Sequence, residues 1–180
     1  MENEVVEKKK KKPLIREIIE LVAIFAVMLV IFNFVLMSVR VNGTSMVPNY
    51  VDGERGIMMR SLPFNQPSHG AVVVIEYYDD FEDEKELIVK RVFGMPNDTI
   101  EIKDNKVLVN GKEVVDTFRA ADTMMDDHAL ITLGDDEIFV LGDNRNVSKD
   151  SRMIGPVKLS QIKAVHGIVF WPLDKIGFMD

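Results

Sequence analysis

The sequence predicts a mostly β protein, with one apolar helix at the N-terminus followed by an antiparallel β-sheet domain. Two observations predict this class. Residues 18–39 form an almost continuous apolar run, IIELVAIFAVMLVIFNFVLMSV. From residue 41 onward, short runs of Val, Ile and Phe are separated by turn residues, and long amphipathic helical periods are missing. A chain of 180 residues is long enough for one such domain and the helix.

The N-terminal region predicts a membrane anchor. As a helix, residues 18–39 would span about 33 Å, enough for a hydrocarbon core of about 30 Å. Residues 1–17 include five consecutive lysines, and the positive-inside rule places this basic tail in the cytoplasm. We therefore expect a single-pass protein of the cell membrane, in contact with lipid, with residues 40–180 outside the cytoplasm. A cleaved signal peptide or a buried core helix is the alternative, but the run is long, apolar on all sides and not followed by an A-x-A-like site.

Six runs predict the strands of the exported domain, at residues 71–77, 87–93, 99–103, 106–109, 137–141 and 164–171. The dipeptide Asn110-Gly111 predicts a two-residue hairpin turn after the fourth run. The acidic segments 79–86 and 122–127 are predicted to be solvated loops. We expect folded or partly closed antiparallel sheets.

Composition excludes several function classes. The net charge of −7 argues against nucleic acid as a partner, because phosphate contacts need a basic face. The chain has no cysteine, which excludes disulfides and thiolate metal sites. No metal and no cofactor is predicted.

Ser45 is the candidate nucleophile. It lies in the run GTSMVP, a turn bounded by Gly43 and Pro48. It lies only six positions after Val39, at most about 20 Å of extended chain, so we expect it near the outer membrane surface. A nucleophilic serine also needs a base within hydrogen-bond reach and donors for the developing oxyanion.

Three kinds of base are open. One is a histidine, at His69, His128 or His166, none of which lies in a motif. Another is Lys90, which lies in the apolar run LIVKRVF; burial there would lower its pKa from about 10.4, whereas an edge-strand lysine would reach water. Alternation along the strand sends Arg91 the other way, where we expect it to pair with a carboxylate. The third is carboxylate chemistry in GDNRNVSKDSR, residues 142–152, which is either a charge network or an ordinary surface loop.

Four segments follow the apolar run in a fixed order: GTSMVP, KRVFGMPND, GDNRNVSKDSR and WPLDKIGF. In this order, over most of the chain, they resemble the bacterial type I signal peptidases, the Ser/Lys leader peptidases, in their Gram-positive-like form with a single membrane anchor. The resemblance implies a mostly β catalytic domain of the signal-peptidase type. It also implies a membrane-bound serine endopeptidase that removes N-terminal signal peptides from secreted preproteins.

The resemblance also implies roles for particular residues. Ser45 corresponds to the nucleophile and Lys90 to its general base. The residues that would orient or support this pair are Ser148, Asp150, Arg152, Asp143 and Arg91. The oxyanion hole would use the backbone N–H of Ser45, and the position that carries a second donor in some relatives is here Gly43, which leaves that donor open.

The sequence departs from the family pattern in three places. Asn49-Tyr50 stands where Thr-Leu is usual, Asn97 stands where a turn glycine is usual, and Ile154 precedes Gly155 where Phe or Tyr is common. Asparagine tolerates positive φ, so we expect Asn97 to replace the glycine. A catalytically silent membrane-bound paralogue acting as a binding module, or a Ser/Lys protease of the self-cleaving SOS-repressor type, are the alternative functions. The presence of both Ser45 and Lys90 argues against the first, and the apolar anchor argues against the second.

Overall fold

A computed structural model of the protein describes residues 13–79 and 84–179. The chain separates into two units, one that ends at Val35 and one that begins at Leu36. The first unit contains the helix α1 (Leu14–Phe34), whose apolar side chains are exposed. Within the described part of the chain, no helix combines the length and the apolarity that a bilayer crossing requires. The predicted membrane span is therefore not confirmed.

The end of the predicted helix differs from the structure. The sequence predicts helix as far as Val39, but α1 ends at Phe34 and residues 36–40 form a strand. This strand pairs antiparallel with Arg55–Arg60, in the register Met37↔Met58 and Val39↔Gly56. Because these backbone groups bond to a neighbouring strand, the apolar composition that favours a longer helix is overridden by tertiary pairing.

The second unit consists of two antiparallel sheets. Its strands in chain order are β1 (Leu36–Arg40), β2 (Arg55–Arg60), β3 (Val72–Asp79), β4 (Glu84–Gly94), β5 (Thr99–Lys103), β6 (Lys106–Val109), β7 (Lys112–Glu113), β8 (His128–Thr132), β9 (Glu137–Leu141), β10 (Val157–Lys158), β11 (Ile162–Trp171) and β12 (Gly177–Met179). The larger sheet has the order β1-β2-β11-β3-β4-β9-β10, with β12 beside β11, and the smaller has the order β7-β6-β5-β8. A short helix, α2 (Ser151–Ile154), follows β9. The predicted mostly β, antiparallel class is confirmed.

The predicted strands are all present. Strands β5, β6 and β9 have the predicted bounds, and β4 and β11 extend beyond them. Strand β3 begins one residue later than predicted and ends two residues later. Asn110 and Gly111 have φ of 52° and 73° and connect β6 to β7, as the hairpin prediction requires. The predicted acidic loop at 79–86 is wrong at its ends, because cross-strand pairs such as Tyr77↔Glu86 extend the β3–β4 hairpin; residues 80–83 lie outside the described residues.

The core fixes the turn that carries Ser45. Met46 and Tyr50, which follow Ser45 in the chain by one and five positions, are 1% and 6% exposed and belong to a cluster with Val72, Val74 and Val89. Burial of an apolar side chain of this size contributes about 1.5–3 kcal/mol. The hydrophobic core therefore holds the turn against β3 and β4.

We predict that Gly167→Ala destabilises the second unit. A Cβ at this position of β11 would lie 2.5 Å from the Ile57 carbonyl oxygen and 2.9 Å from Met58 Cα, both backbone atoms of β2. Overpacking of this kind costs about 1–3 kcal/mol, which thermal unfolding measures as a lower Tm. Gly177→Ala is the matched control, because its Cβ would meet nothing closer than 3.8 Å. Equal Tm values for the two variants would contradict the prediction.

Candidate active site

The Ser45 turn follows β1 and is fixed by backbone contacts. Gly43 has a φ of 81°, a backbone conformation that residues other than glycine rarely adopt. Its N–H donates to Asp52 Oδ1 at 2.8 Å. The Ser45 carbonyl oxygen accepts from the Asn144 N–H at 2.9 Å, which joins the turn to the segment after β9. The half-buried Ser45 hydroxyl thus has a defined position.

Lys90 lies in β4, opposite Val73 of β3, and is 3% exposed. Its Nζ lies 2.9 Å from Ser45 Oγ and also donates to the Val89 carbonyl oxygen at 2.9 Å. The structure therefore brings together the two residues that the sequence singled out, although they are 45 positions apart.

Burial changes the acidity of the Lys90 side chain. Desolvation lowers its pKa from 10.5 to about 8, against the opposite effect of the carboxylates of Asp150, Asp143 and Glu86, which raise it. An uncharged amine has a lone pair, so in that state the Ser45 hydroxyl can donate its hydrogen bond to Nζ. This arrangement can remove a proton from Oγ as the oxygen attacks a carbonyl carbon.

The histidines are engaged elsewhere. His69 Nε2 lies 2.8 Å from Asp98 Oδ2. The ring of His128 packs edge-on against Phe139, with 5.8 Å between ring centres. His166 has a φ of 45° at an irregularity where β11 pairs with β2. No hydrogen bond joins Ser45 to a histidine within the described residues, so the geometry favours the lysine alternative.

Asp143 and Arg91 form a buried ion pair. Arg91 Nε and Nη2 donate to the two carboxylate oxygens at 2.9 and 3.0 Å, and the two side chains are 1% and 0% exposed. Nη1 of Arg91 donates to the Gly70 carbonyl oxygen at 2.7 Å, and its guanidinium carbon lies 3.7 Å from the centre of the Phe118 ring. The predicted pairing of Arg91 with a carboxylate is present.

Asp150 and Arg152 form a second pair in the same segment. Arg152 Nε and Nη2 donate to the Asp150 carboxylate at 2.8 and 2.9 Å. The same carboxylate accepts from the Gly142 N–H at 3.0 Å, and Arg152 Nη2 also donates to the Arg145 carbonyl oxygen at 2.8 Å. Residues 142–152 are therefore a charge network, and the surface-loop alternative is wrong.

Ser148 is not hydrogen-bonded to Lys90, contrary to the role that the resemblance implies. Its Oγ is buried and has no hydrogen-bond partner among the described residues. The hydroxyl lies against Gly142, where a Cβ would collide with the Ser148 side chain and lie 2.6 Å from the Ser45 carbonyl oxygen. The serine rotamer, which sequence cannot specify, decides this contact.

The candidate oxyanion donors are the backbone N–H groups of Ser45 and Gly43. The Ser45 N–H has no hydrogen-bond partner among the described residues, so it can donate to an oxygen on which negative charge develops. The Gly43 N–H is bound to Asp52, and glycine offers no side-chain donor. In this conformation Gly43 therefore supplies no second donor.

Sequence reasoning missed Asn49 as a contact residue, although it identified the position as unusual. Asn49 Nδ2 donates to the Phe118 carbonyl oxygen at 2.6 Å and to Asp143 Oδ2 at 2.8 Å. The expectation for Asn97 is confirmed, because its φ is 69° in a turn closed by the Asp98 N–H on the Met95 carbonyl oxygen at 3.0 Å.

Comparison with known proteins identifies the family. Residues 14–171 match the family described as signal peptidase, peptidase S26. The chain belongs to this family. Signal peptidase I of Bacillus amyloliquefaciens is 32% identical in sequence, and the similarity covers 94% of this chain and 95% of that protein. Signal peptidase I S of Bacillus subtilis (strain 168) is 32% identical over 93% and 94%, and signal peptidase IB of Staphylococcus aureus (strain MRSA252) is 28% identical over 93% and 95%.

Family membership confirms two predictions from the sequence. The chain is of the bacterial type I signal peptidase type, and its activity class is that of a serine endopeptidase, a hydrolase.

We predict that peptidase activity rises with pH through a group with a pKa of about 8. Below this pH the Lys90 side chain is mostly an ammonium ion without a lone pair, and above it the amine is neutral. The pH dependence of kcat/KM on a peptide substrate reports this group in the free enzyme. A profile that is flat through this range, or that still climbs near 10.5, would contradict the prediction.

Proposed function

We propose that the protein is a membrane-anchored endopeptidase that removes N-terminal signal peptides from exported preproteins, with Ser45 as nucleophile and Lys90 as general base. The observation that carries this proposal is the 2.9 Å contact between Lys90 Nζ and Ser45 Oγ. It is supported by the family match and by relatives that bear the name signal peptidase I. No metal or cofactor enters the proposed reaction.

The proposed reaction has two halves. Ser45 Oγ attacks the scissile carbonyl carbon while neutral Lys90 takes the hydroxyl proton, and the Ser45 N–H donates to the oxyanion. The C–N bond then breaks, and the Lys90 ammonium gives its proton to the leaving amine, which becomes the new N-terminus. In the second half Lys90 takes a proton from water as this water attacks the ester on Ser45. The ester bond breaks, Lys90 returns the proton to Oγ, and the signal peptide leaves with a free carboxyl group.

The supporting residues keep the amine in place. Asp143 with Arg91 immobilises the residue next to Lys90, and Asp150 with Arg152 shapes the segment that borders the Ser45 turn. Both carboxylates raise the pKa of Lys90 and so limit the fall that burial causes. Ser148, whose buried hydroxyl has no partner among the described residues, would orient the amine after a change of rotamer.

Membrane anchoring is part of the proposal. None of the side chains of α1 is buried, and the amide of Asn33 donates to the Leu29 carbonyl oxygen at 2.7 Å, which satisfies one of its polar groups within the helix. Exposed apolar surface of this extent marks a membrane or protein contact. The lysines at 8–12 would lie on the cytoplasmic side, with the sheets on the exported side.

An independent observation in the second unit also favours a membrane nearby. Around its C-terminal strands, large apolar side chains are more than one third exposed, namely Phe170, Trp171, Leu173, Ile176 and Phe178. Tryptophan is enriched where proteins meet the membrane–water interface.

Ser45→Ala and Lys90→Ala are each expected to reduce preprotein cleavage by at least about 1000-fold, because residues that act as a unit fail together. Sequencing of the new N-terminus confirms that the wild-type cut follows the signal peptide. Lys85→Ala is the matched control, since Lys85 lies on the same strand but is 67% exposed, with its Nζ 3.3 Å from Glu76. Full activity of either active-site variant would contradict the mechanism.

The anchor predicts that the full-length protein stays in the membrane fraction after extraction with alkaline carbonate. A fragment that begins at Leu36 is expected to lose this resistance, because it lacks α1. Release of the full-length protein by carbonate would contradict anchoring while leaving the peptidase mechanism untouched.

A further inference from the structure

Asn49 connects two parts of the active site that are far apart in the chain. It lies four residues after Ser45, in the same turn region. One side-chain nitrogen, Nδ2, donates to the Phe118 carbonyl oxygen at 2.6 Å and to Asp143 Oδ2 at 2.8 Å. Its amide has no role in the proposed reaction, and its contacts therefore need a different explanation.

The acceptors of Asn49 lead back to Lys90. Asp143 accepts two hydrogen bonds from Arg91, the residue next to Lys90 in β4. The Arg91 guanidinium stacks on the ring of Phe118, whose carbonyl oxygen is the other acceptor of Asn49. The Ser45 turn is therefore connected to β4 in two ways. One is the contact between Lys90 and Ser45, and the other runs from Asn49 through Asp143 to Arg91.

We propose that Asn49 is a positioning residue, whose amide holds the Ser45 turn at a fixed distance from the strand that carries Lys90. This inference rests on the proposed function of Ser45 and Lys90, and it assigns Asn49 no contact with the reacting atoms. The residue type matters. An amide nitrogen carries two N–H donors and can serve two acceptors at once, whereas a hydroxyl carries one donor.

Loss of this amide should loosen the site without removing any reacting group. Asp143 would keep its bonds to Arg91 but lose the one that reaches the Ser45 turn. Catalytic groups need to be held within about 0.5 Å of the productive geometry. A hydrogen bond to a charged group, when lost, corresponds to about a tenfold change in an equilibrium or rate.

The first test compares Asn49→Ala with wild type in the full-length protein, in detergent, on a preprotein substrate. We expect kcat to fall about tenfold while KM changes less than about twofold, because the transition state depends on the alignment more than substrate binding does. Asn65→Ala is the matched control. Asn65 also bridges a loop, accepting from the Leu62 N–H at 2.6 Å and donating to the Arg60 carbonyl oxygen at 2.8 Å, and it is expected to keep wild-type kcat.

The second test uses Asn49→Asp, which keeps the shape of the side chain but replaces the donor with a carboxylate facing Asp143. We expect a larger fall in kcat than in Asn49→Ala. We also expect the rise of kcat/KM with pH to move to higher pH, because added negative charge favours the ammonium form of Lys90, which already faces Asp150, Asp143 and Glu86. Both effects are measured on the same substrate.

Three results would overturn the inference: wild-type kcat in Asn49→Ala, an equal loss in Asn65→Ala, or loss of activity in Asn49→Asp without a shifted pH profile. The last would indicate a purely structural role. Failure of the proposed function has a different signature, namely cleavage by Ser45→Ala or Lys90→Ala.

Discussion

The hydrogen-bonding contact between a buried lysine amine and a serine hydroxyl is the constraint on which the rest of the second unit depends. A lysine at the surface would be charged near neutral pH and could not accept a proton. Burial in β4 lowers the pKa of the lysine and so makes its neutral form accessible. This burial requires strands on both sides of β4 to keep water away. The antiparallel β3–β4–β9 arrangement supplies them, and it places Asp143 and Asp150 just beyond the end of β9.

Burial lowers the pKa of the Lys90 amine, and the carboxylates of Asp150, Asp143 and Glu86 oppose this fall. Ion pairs with a buried carboxylate carry a desolvation cost that is recovered only with good geometry and full hydrogen bonding. Here Asp143 accepts from Arg91 and Asn49, and Asp150 accepts from Arg152 and Gly142. The network is therefore better explained by the geometry and charge that it gives to the lysine than by a gain in stability.

Much of the fold could be predicted from the sequence, because strands with strong alternation or β-branched runs form where those patterns occur. The edge of the large sheet could not. β1 has the composition of a helix end, and only its pairing with β2, 15 or more residues away, makes it a strand. Strands β2, β8, β10 and β12 also lie outside the six predicted runs. In β8 the side chains are mostly exposed and the three apolar residues are consecutive, so the alternation typical of a half-buried strand is absent.

The site divides along similar lines. Ser45, Lys90 and the two ion pairs could be named because they lie in short segments of recognisable order. The orientation of Ser148 and the bridging amide of Asn49 depend on rotamers and on Phe118, a residue in an irregular segment without any motif. Tertiary contacts of this kind become visible only in three dimensions.

Gly142 limits which positions of the segment around it can change during evolution. A side chain there would collide with Ser148 and with the backbone of Ser45, so this position does not tolerate substitution. Asp143 and Asp150 do not tolerate substitution for a different reason, since each is fully buried with a charged partner. Within residues 142–152 only Asn146 and Val147 are exposed. Lineages that descend from this chain should therefore accumulate their differences at that two-residue tip, and a binder raised against the tip would distinguish related enzymes that share one chemistry.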